Sequence, residues 1–166
     1  MDKKVFLSLG SNVGNRAAHI ARAIAALDAA GVRVTRQSKL YRTEPVGAPR
    51  QQWFANCVVE AQTALLPRQL LHAIRRVEHA LGRRRGSTQR APRKIDIDIL
   101  LYAAARIRTR DLEIPHPRMH QRRFVLVPLA ELAPDLHHPV LKQTISSLVA
   151  NTADRSQIQL LDAAIS

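Results

Sequence analysis

The chain has 166 residues, and its 46% apolar fraction is enough for one folded domain, which we expect to extend over residues 1–166. No apolar run approaches the length of a transmembrane helix, which excludes a membrane-spanning protein. The formal net charge of +13 predicts an anionic partner, and 4% aromatic residues without a zinc-finger or helix-turn-helix pattern favour small anionic ligands over nucleic acid.

The N-terminal third predicts a strand, a helix and a second strand. The first apolar run is too short for the core of an export signal, so we expect it to form the first strand. The polar residues 10–16 predict a turn, and apolar residues then recur at helical spacing until Gly31, which should end the helix. A second strand is expected from Val32 towards Tyr41.

The middle of the chain predicts a long loop, a third strand and a second helix. Residues 43–52 are too rich in proline, glycine and polar side chains for regular structure, whereas residues 53–63 alternate as a strand does. The only cysteine, Cys57, lies in that strand, which excludes an intrachain disulfide framework and favours a reducing cytoplasm. Pro67 suits the first turn of the helix, and Gly82 suits its end.

With a further strand beginning near residue 95, the predicted order is β-α-β-β-α-β, which matches a ferredoxin-like α+β core. The rest of the chain predicts a short strand pair within residues 107–114 and helices over residues 124–132 and 144–150. We therefore expect a C-terminal α/β elaboration and a three-layer α-β-α architecture.

The stretch Ile95-Asp96-Ile97-Asp98-Ile99 gives the strongest functional signal. In a strand, Asp96 and Asp98 point to the same face, roughly 6.5–7 Å apart. Two ionised carboxylates among isoleucines repel each other unless a cation relieves them. Magnesium takes one or two protein carboxylates and completes its shell with water and substrate phosphates, so the pair predicts a magnesium-polyphosphate site.

An arginine-rich segment, residues 83–94, leads into this strand. Its glycine, serine, threonine and proline predict a loop, and the planar donors of arginine match phosphate oxygens. Together, loop and strand predict a metal-bound polyphosphate held from two sides. Taken alone, a charged segment is most often a solvated loop, and a pair of aspartates is often only a half-exposed strand face, so the functional interpretation depends on their adjacency.

Five motifs follow one another along the chain: Leu9-Gly10-Ser11-Asn12, Tyr41-Arg42-Thr43-Glu44-Pro45, Phe54-Ala55-Asn56, residues 93–100 and Ile114-Pro115-His116-Pro117-Arg118. In this order they resemble the motifs of the 6-hydroxymethyl-7,8-dihydropterin pyrophosphokinase family. The resemblance implies transfer of pyrophosphate from ATP to the pterin hydroxymethyl group, giving AMP and the pterin diphosphate used in folate synthesis. It also implies two magnesium ions, with ATP and the pterin as partners. We expect a cytoplasmic monomer without a membrane partner.

The resemblance also implies roles for individual residues. Asp96 and Asp98 would bind magnesium and, with Arg83 and Arg93, form the catalytic set. The implied ATP-binding residues are Arg75, Glu78, Arg85, Arg90, Ile99, Leu112, His116 and Arg122, with Glu78 expected on the exposed side of its helix. The implied pterin-binding residues are Thr43, Pro45, Val46, Phe54, Asn56 and Phe124, whose two phenylalanines would sandwich the ring.

Two positions depart from the family pattern. Arg90 stands where tryptophan is common, and our hypothesis is that its guanidinium stacks or pairs with phosphate instead. Arg75 stands where glutamine is frequent. The alternative function is a basic ferredoxin-like nucleic-acid-binding module, which leaves Asp96 and Asp98 unexplained. A third is another two-metal nucleotidyl enzyme that uses the same carboxylates.

Overall fold

A computed structural model of the chain describes residues 1–44, 53–82 and 94–161. The strands in these ranges are β1 (Lys3–Ser11), β2 (Val32–Gln37), β3 (Tyr41–Thr43), β4 (Phe54–Thr63), β5 (Asp96–Tyr102), β6 (Ile107–Arg108), β7 (Glu113–Ile114) and β8 (Ile158–Leu160). The helices are α1 (Arg16–Ala29), α2 (Pro67–Ala80), α3 (Arg123–Leu132) and α4 (Ile145–Asn151), with a 3-10 turn at Met119–Gln121. The predicted loops within residues 45–52 and 83–93 lie outside the described residues.

The main sheet has the strand order β5-β1-β4-β3-β8, and β2 also pairs with β4. All these pairings are antiparallel. The first and last strands of the predicted core, β1 and β5, therefore lie side by side, with β4 on the other side of β1. This arrangement confirms the ferredoxin-like α+β class.

The sheet is covered on both faces. Leu7 and Leu9 belong to one apolar core, which they share with α1 and α2. Phe6 and Val58 belong to a second core, which they share with α3 and α4. Each fully buried aliphatic side chain contributes roughly 2 kcal/mol, so both faces of the sheet stabilise the fold. The expected three-layer α-β-α architecture is confirmed.

The extended run predicted from Val32 towards Tyr41 is broken into two strands at Ser38. The backbone N–H of Ser38 donates to the carbonyl of Val58 at 2.9 Å. The Ser38 hydroxyl accepts the N–H of Val58 at 2.9 Å, where a backbone carbonyl would serve in a continuous ladder. Because the hydroxyl takes the place of the backbone carbonyl, the chain can leave the ladder at Ser38 and rejoin it at β3.

The C-terminal elaboration largely matches its prediction. Strands β6 and β7 form the expected pair, and the hydroxyl of Thr144 caps α4 by accepting the N–H of Ser147 at 3.1 Å. Strand β8 was not predicted, because three residues are too few for a periodic signal. Within the described residues, no helix combines the length and apolar character needed to cross a bilayer.

Candidate active site

The two predicted metal ligands lie on β5, at one edge of the sheet. Asp96 and Asp98 are half-exposed and alternate with buried isoleucines, as the sequence predicted. Their partners in the ladder with β1 are Gly10 and Ser8, respectively. The isoleucines face α1 and α2, so both carboxylates lie on the opposite face of the sheet, the one to which α3 belongs.

Gly10 makes room on this face for the side chain of Asn56. In register it lies between Asp96 of β5 and Asn56 of β4. A Cβ atom at Gly10 would be only 2.8 Å from Oδ1 of Asn56 and 3.5 Å from Cδ1 of Phe54. The sequence predicted a turn from Gly10 onwards, but Gly10 lies inside β1, and a glycine inside a strand often signals a close approach of this kind.

Three predicted pterin-binding residues come together beside Gly10. Asn56 is only 4% exposed, and its Nδ2 donates to the hydroxyl of Thr43 at 2.6 Å. Thr43 is directly opposite Phe54 in the β3–β4 ladder. This bond fixes the side-chain amide of Asn56, so its orientation is set before any ligand binds. Pro45 and Val46 lie outside the described residues.

The first turn of α3 supplies an aromatic ring, and the N-cap residue before it supplies a cation. Phe124 is half-buried at the second helical residue and packs against the second core. The guanidinium carbon of Arg122 lies 5.6 Å from the centroid of the Phe124 ring, within the range of a cation–π interaction. The predicted pterin contact and the predicted ATP contact are therefore neighbours here.

His116 is held as a neutral imidazole near Asp96. Its backbone N–H donates to the carbonyl of Leu100 at 3.0 Å, and its Nδ1 accepts the N–H of Arg118 at 3.1 Å. Burial, with Arg122 and Arg118 nearby, lowers the pKa of His116 to about 4, although Asp96 opposes the shift. At neutral pH the single ring proton is therefore on Nε2, which makes this atom a hydrogen-bond donor.

The expected exposure of Glu78 is wrong, because its side chain is 6% exposed. Its Oε2 accepts the N–H of Ile97 at 2.8 Å. Strand β5 is at the edge of the sheet, so alternate N–H groups point away from β1 and need another acceptor. Glu78 supplies one from α2 and thereby holds the backbone between Asp96 and Asp98.

The remaining described ATP-binding candidates are Ile99, Leu112 and Arg75. Ile99 and Leu112 are buried in the core beneath α1 and α2, so their side chains serve packing. Because Ile99 is two residues beyond Ile97, its backbone groups also face the outer edge of β5. Arg75 is exposed on α2.

The predicted arginines at 83, 85, 90 and 93 lie outside the described residues. The described residues on either side of them are Gly82 and Lys94. Gly82 has a φ of +109°, and a Cβ there would be 3.2 Å from Cδ of Lys94. The chain thus leaves α2 and enters β5 at adjacent points, close to Glu78 and Asp96.

The sequence did not predict the clamp that precedes Phe54. Arg16 donates to the carbonyls of Trp53 at 3.0 Å and Asn12 at 3.2 Å. Its guanidinium carbon lies 3.9 Å from the Trp53 ring centroid, and that of Arg42 lies 4.8 Å from it. The clamp fixes the start of β4, but a single arginine after a turn looks like any surface residue in the sequence.

The residues on this face fit magnesium. Within the described part of the chain, no group of three histidine, cysteine, aspartate or glutamate side chains could hold a metal ion. Zinc sites need at least three such ligands, whereas magnesium is held by one or two carboxylates, water and substrate phosphates. The pair Asp96 and Asp98 matches the second description.

Fold and site together define a ferredoxin-like α+β protein whose sheet surface places paired carboxylates beside an amide and aromatic rings. The sequence profile of the family described as 7,8-dihydro-6-hydroxymethylpterin-pyrophosphokinase (HPPK) matches residues 6–134. The chain therefore belongs to this family.

Relatives of similar length support this membership. The chain is 44% identical over 133 residues to the 2-amino-4-hydroxy-6-hydroxymethyldihydropteridine pyrophosphokinase of Bacillus subtilis, a match that covers 80% of this chain and 79% of that protein. It is 46% identical over 134 residues to the protein of the same name from Methylorubrum extorquens, covering 80% and 84%.

Solved structures show the same fold. An HPPK-DHPS chain in complex with substrates superposes with a TM-score of 0.71 at 15% identity, over 90% of this chain and 43% of that chain. The wild-type Plasmodium falciparum HPPK-DHPS with pterin and p-hydroxybenzoate gives a TM-score of 0.71 at 18% identity, over 90% and 42%. The chain thus spans less than half of these two longer proteins.

Proposed function

We propose that the protein transfers the pyrophosphoryl group of ATP to 6-hydroxymethyl-7,8-dihydropterin, giving AMP and the pterin diphosphate in folate biosynthesis. One observation carries the proposal: the row Asp96, Gly10 and Asn56 across three adjacent strands. It sets a carboxylate suited to a cation and a hydrogen-bonded amide on either side of a glycine, on one face of the sheet.

The pterin binds over Gly10 in this proposal. Asn56 recognises the polar edge of the ring, and Phe54 and Phe124 contact its two faces. Thr43 holds the amide of Asn56 in place, and Pro45 and Val46 complete the pocket. A flat heteroaromatic ring suits such a site because aromatic faces and fixed polar groups together determine its orientation.

ATP binds along the β5 edge in this proposal. Asp96 and Asp98 hold two magnesium ions, which neutralise the phosphate charge and orient the polyphosphate when they are bound. Ile99 and Leu112 contact the nucleoside through their backbones, with Arg75 and Glu78 beside them. The phosphate contacts are Arg83, Arg85, Arg90, Arg93, His116 and Arg122.

The reaction is a displacement at the β-phosphorus. The pterin hydroxyl oxygen forms a bond to this phosphorus, the bond to the oxygen bridging the α- and β-phosphorus breaks, and the hydroxyl proton is released. Phosphoryl transfer depends chiefly on positioning and charge neutralisation, so no covalent enzyme intermediate is needed. His116 contributes a neutral Nε2–H donor, and the arginines contribute positive charge.

The test is an AMP-release assay with the purified chain, ATP, magnesium and the reduced pterin, omitting each component in turn. We expect AMP and the pterin diphosphate only in the complete mixture. A different product from ATP would favour another two-metal nucleotidyl enzyme. Failure to form AMP, together with salt-sensitive RNA or DNA binding without magnesium, would favour the nucleic-acid-binding alternative.

We also propose that the protein is a cytoplasmic monomer formed by one domain over residues 1–166. Light scattering of the purified chain should give the mass of a single copy, and a dimer mass would overturn the oligomeric part of the proposal.

A further inference from the structure

The C-terminal segment (residues 152–161) has no role in the site as described so far. It follows α4, and it lies beyond residue 134, where the match to the family profile ends. Its contacts nevertheless converge on the elements that carry Phe124 and Thr43.

Asp154 of this segment caps the first turn of α3. Its Oδ2 accepts the backbone N–H of Arg123 at 2.8 Å. The N-cap residue, Arg122, has no side-chain capping bond of its own, and the first turn of α3 contains no acidic residue. A carboxylate from a distant part of the chain thus provides the negative charge that the start of a helix favours.

The Asp154 carboxylate is itself held from the other side. Its Oδ1 accepts the N–H of Ser156 at 2.8 Å and also the Ser156 hydroxyl. The guanidinium of Arg123 donates back to the carbonyl of Ser156 at 2.8 Å. Burial disfavours ionisation, but the bonds from Ser156 and Arg123 hold the pKa of Asp154 below its usual value. Asp154 therefore caps α3 as a carboxylate, and Arg123 of α3 in turn binds the C-terminal segment.

The same segment then becomes strand β8. Ile158 pairs with Thr43 of β3, and the N–H of Leu161 donates to the carbonyl of Leu40 at 2.9 Å. Within a few residues, the segment contacts both the helix that carries Phe124 and the strand that carries Thr43. It therefore links two parts of the proposed pterin pocket that are far apart in sequence.

We propose that the C-terminal segment is part of the pterin site and that Asp154 is a positioning residue, which sets Phe124 through the first turn of α3. This inference rests on the proposed function. Asp154 does not touch the substrate. It holds the helix start at the position where the Phe124 ring meets the pterin.

The test compares Asp154→Ala and Asp154→Asn with the wild-type chain in steady-state kinetics and in direct pterin titration. The alanine variant should raise the pterin Kd and KM roughly five- to tenfold, since it removes a charged hydrogen-bond acceptor. The asparagine variant should have a smaller effect because one oxygen can still accept a hydrogen bond. In both variants kcat should change by less than about twofold, since Phe124 contacts the face of the ring and the binding it contributes is the same in the ground state and the transition state.

Asp135→Asn is the matched control, because it removes the same charge from an exposed residue just after α3. It should leave every constant unchanged. If Asp154→Ala does not fold, Ser156→Ala serves in its place, because it removes only the hydroxyl that holds Oδ1 and should weaken pterin binding in the same direction.

The outcomes separate this inference from the proposed function. A wild-type chain that neither binds the pterin nor forms AMP would contradict the proposed function itself. An active wild type with folded variants at Asp154 and Ser156 that bind the pterin as the Asp135 control does would overturn only the positioning role. A loss of kcat without a change in pterin affinity would overturn it as well.

Discussion

Asn56 and Thr43 are almost fully buried and hydrogen-bonded to each other, whereas Asp96 and Asp98, two strands away from Asn56, are half-exposed. We call the first pair, with Gly10, the amide side, and the two aspartates with His116 the carboxylate side. On the amide side, packing and a short hydrogen bond hold the side chains in place. On the carboxylate side, the function depends on the negative charge of the aspartates. The two sides should therefore respond to different kinds of substitution.

Removing charge from the carboxylate side should have the largest effect. Asp96→Asn and Asp98→Asn should each lower turnover by roughly a thousandfold or more, because each removes a metal ligand while keeping the shape of the side chain. The fold should persist, since both positions are half-exposed. AMP release and thermal unfolding provide the measurements.

Asp28→Asn is the control for this prediction, because it removes a carboxylate from an exposed position on α1. Turnover in the Asp28 variant should equal that of the wild type. If both strand variants kept wild-type turnover, the carboxylate side would have no catalytic part.

On the amide side, a larger side chain should have more effect than a change of charge. Gly10→Ala would place a methyl group 2.8 Å from Oδ1 of Asn56. We expect the pterin KM to rise about tenfold and stability to fall by about 1–3 kcal/mol through overpacking, while the KM for ATP stays the same. Kinetics with each substrate varied separately measure this contrast.

The double variant Gly10→Ala/Asn56→Ala sharpens the same test. If the clash with Asn56 is the cause, the stability losses of the two single variants should not add in the double variant. Additive losses, or an increase in the ATP KM alone, would show that Gly10 serves something other than the amide side.

Replacing Glu78 should affect both stability and turnover. Glu78→Ala removes the acceptor of the Ile97 N–H on the β5 edge and should cost about 1–3 kcal/mol. It should also lower turnover by displacing the strand that carries the aspartates. Glu78→Gln is the matched control, because its amide oxygen can still accept this bond. Equal stability in the two variants would contradict the edge role.

The smallest predicted effect concerns the contribution of His116 to the pH dependence of folding stability. Its folded pKa of about 4 lies below the ordinary value of 6.5, so the unfolded chain binds more protons between these values. His116 therefore contributes stability at neutral pH that is lost as the pH falls from about 6.5 towards 4. Urea unfolding at several pH values should show a shallower loss for His116→Gln. A loss as steep as that of the wild type would contradict the assigned burial.

The sequence predicted what depends on local periodicity. The alternation around Asp96 fixed the face of both carboxylates, and the helical spacing between Pro67 and Gly82 predicted α2 closely. The break at Ser38 was missed because a serine that replaces a backbone partner looks like any polar residue in a strand.

Residues whose roles depend on distant partners were beyond the sequence. Glu78 was expected to be exposed, yet it is buried because it accepts the N–H of Ile97, 19 residues further along the chain on the edge of β5. Asp154 caps a helix start 31 residues before it. Neither contact leaves a periodic pattern. The roles of the individual site residues stay predictions.

The most direct test of the central claim is to count divalent ions bound in the presence of a nonhydrolysable ATP analogue. Electron paramagnetic resonance with Mn²⁺ in place of magnesium does so for the wild type and for the variants Asp96→Asn, Asp98→Asn and Asp28→Asn. We predict two bound ions in the wild type and in the Asp28 variant, and fewer or weaker ions in the other two. Equal binding in all four proteins would contradict the account.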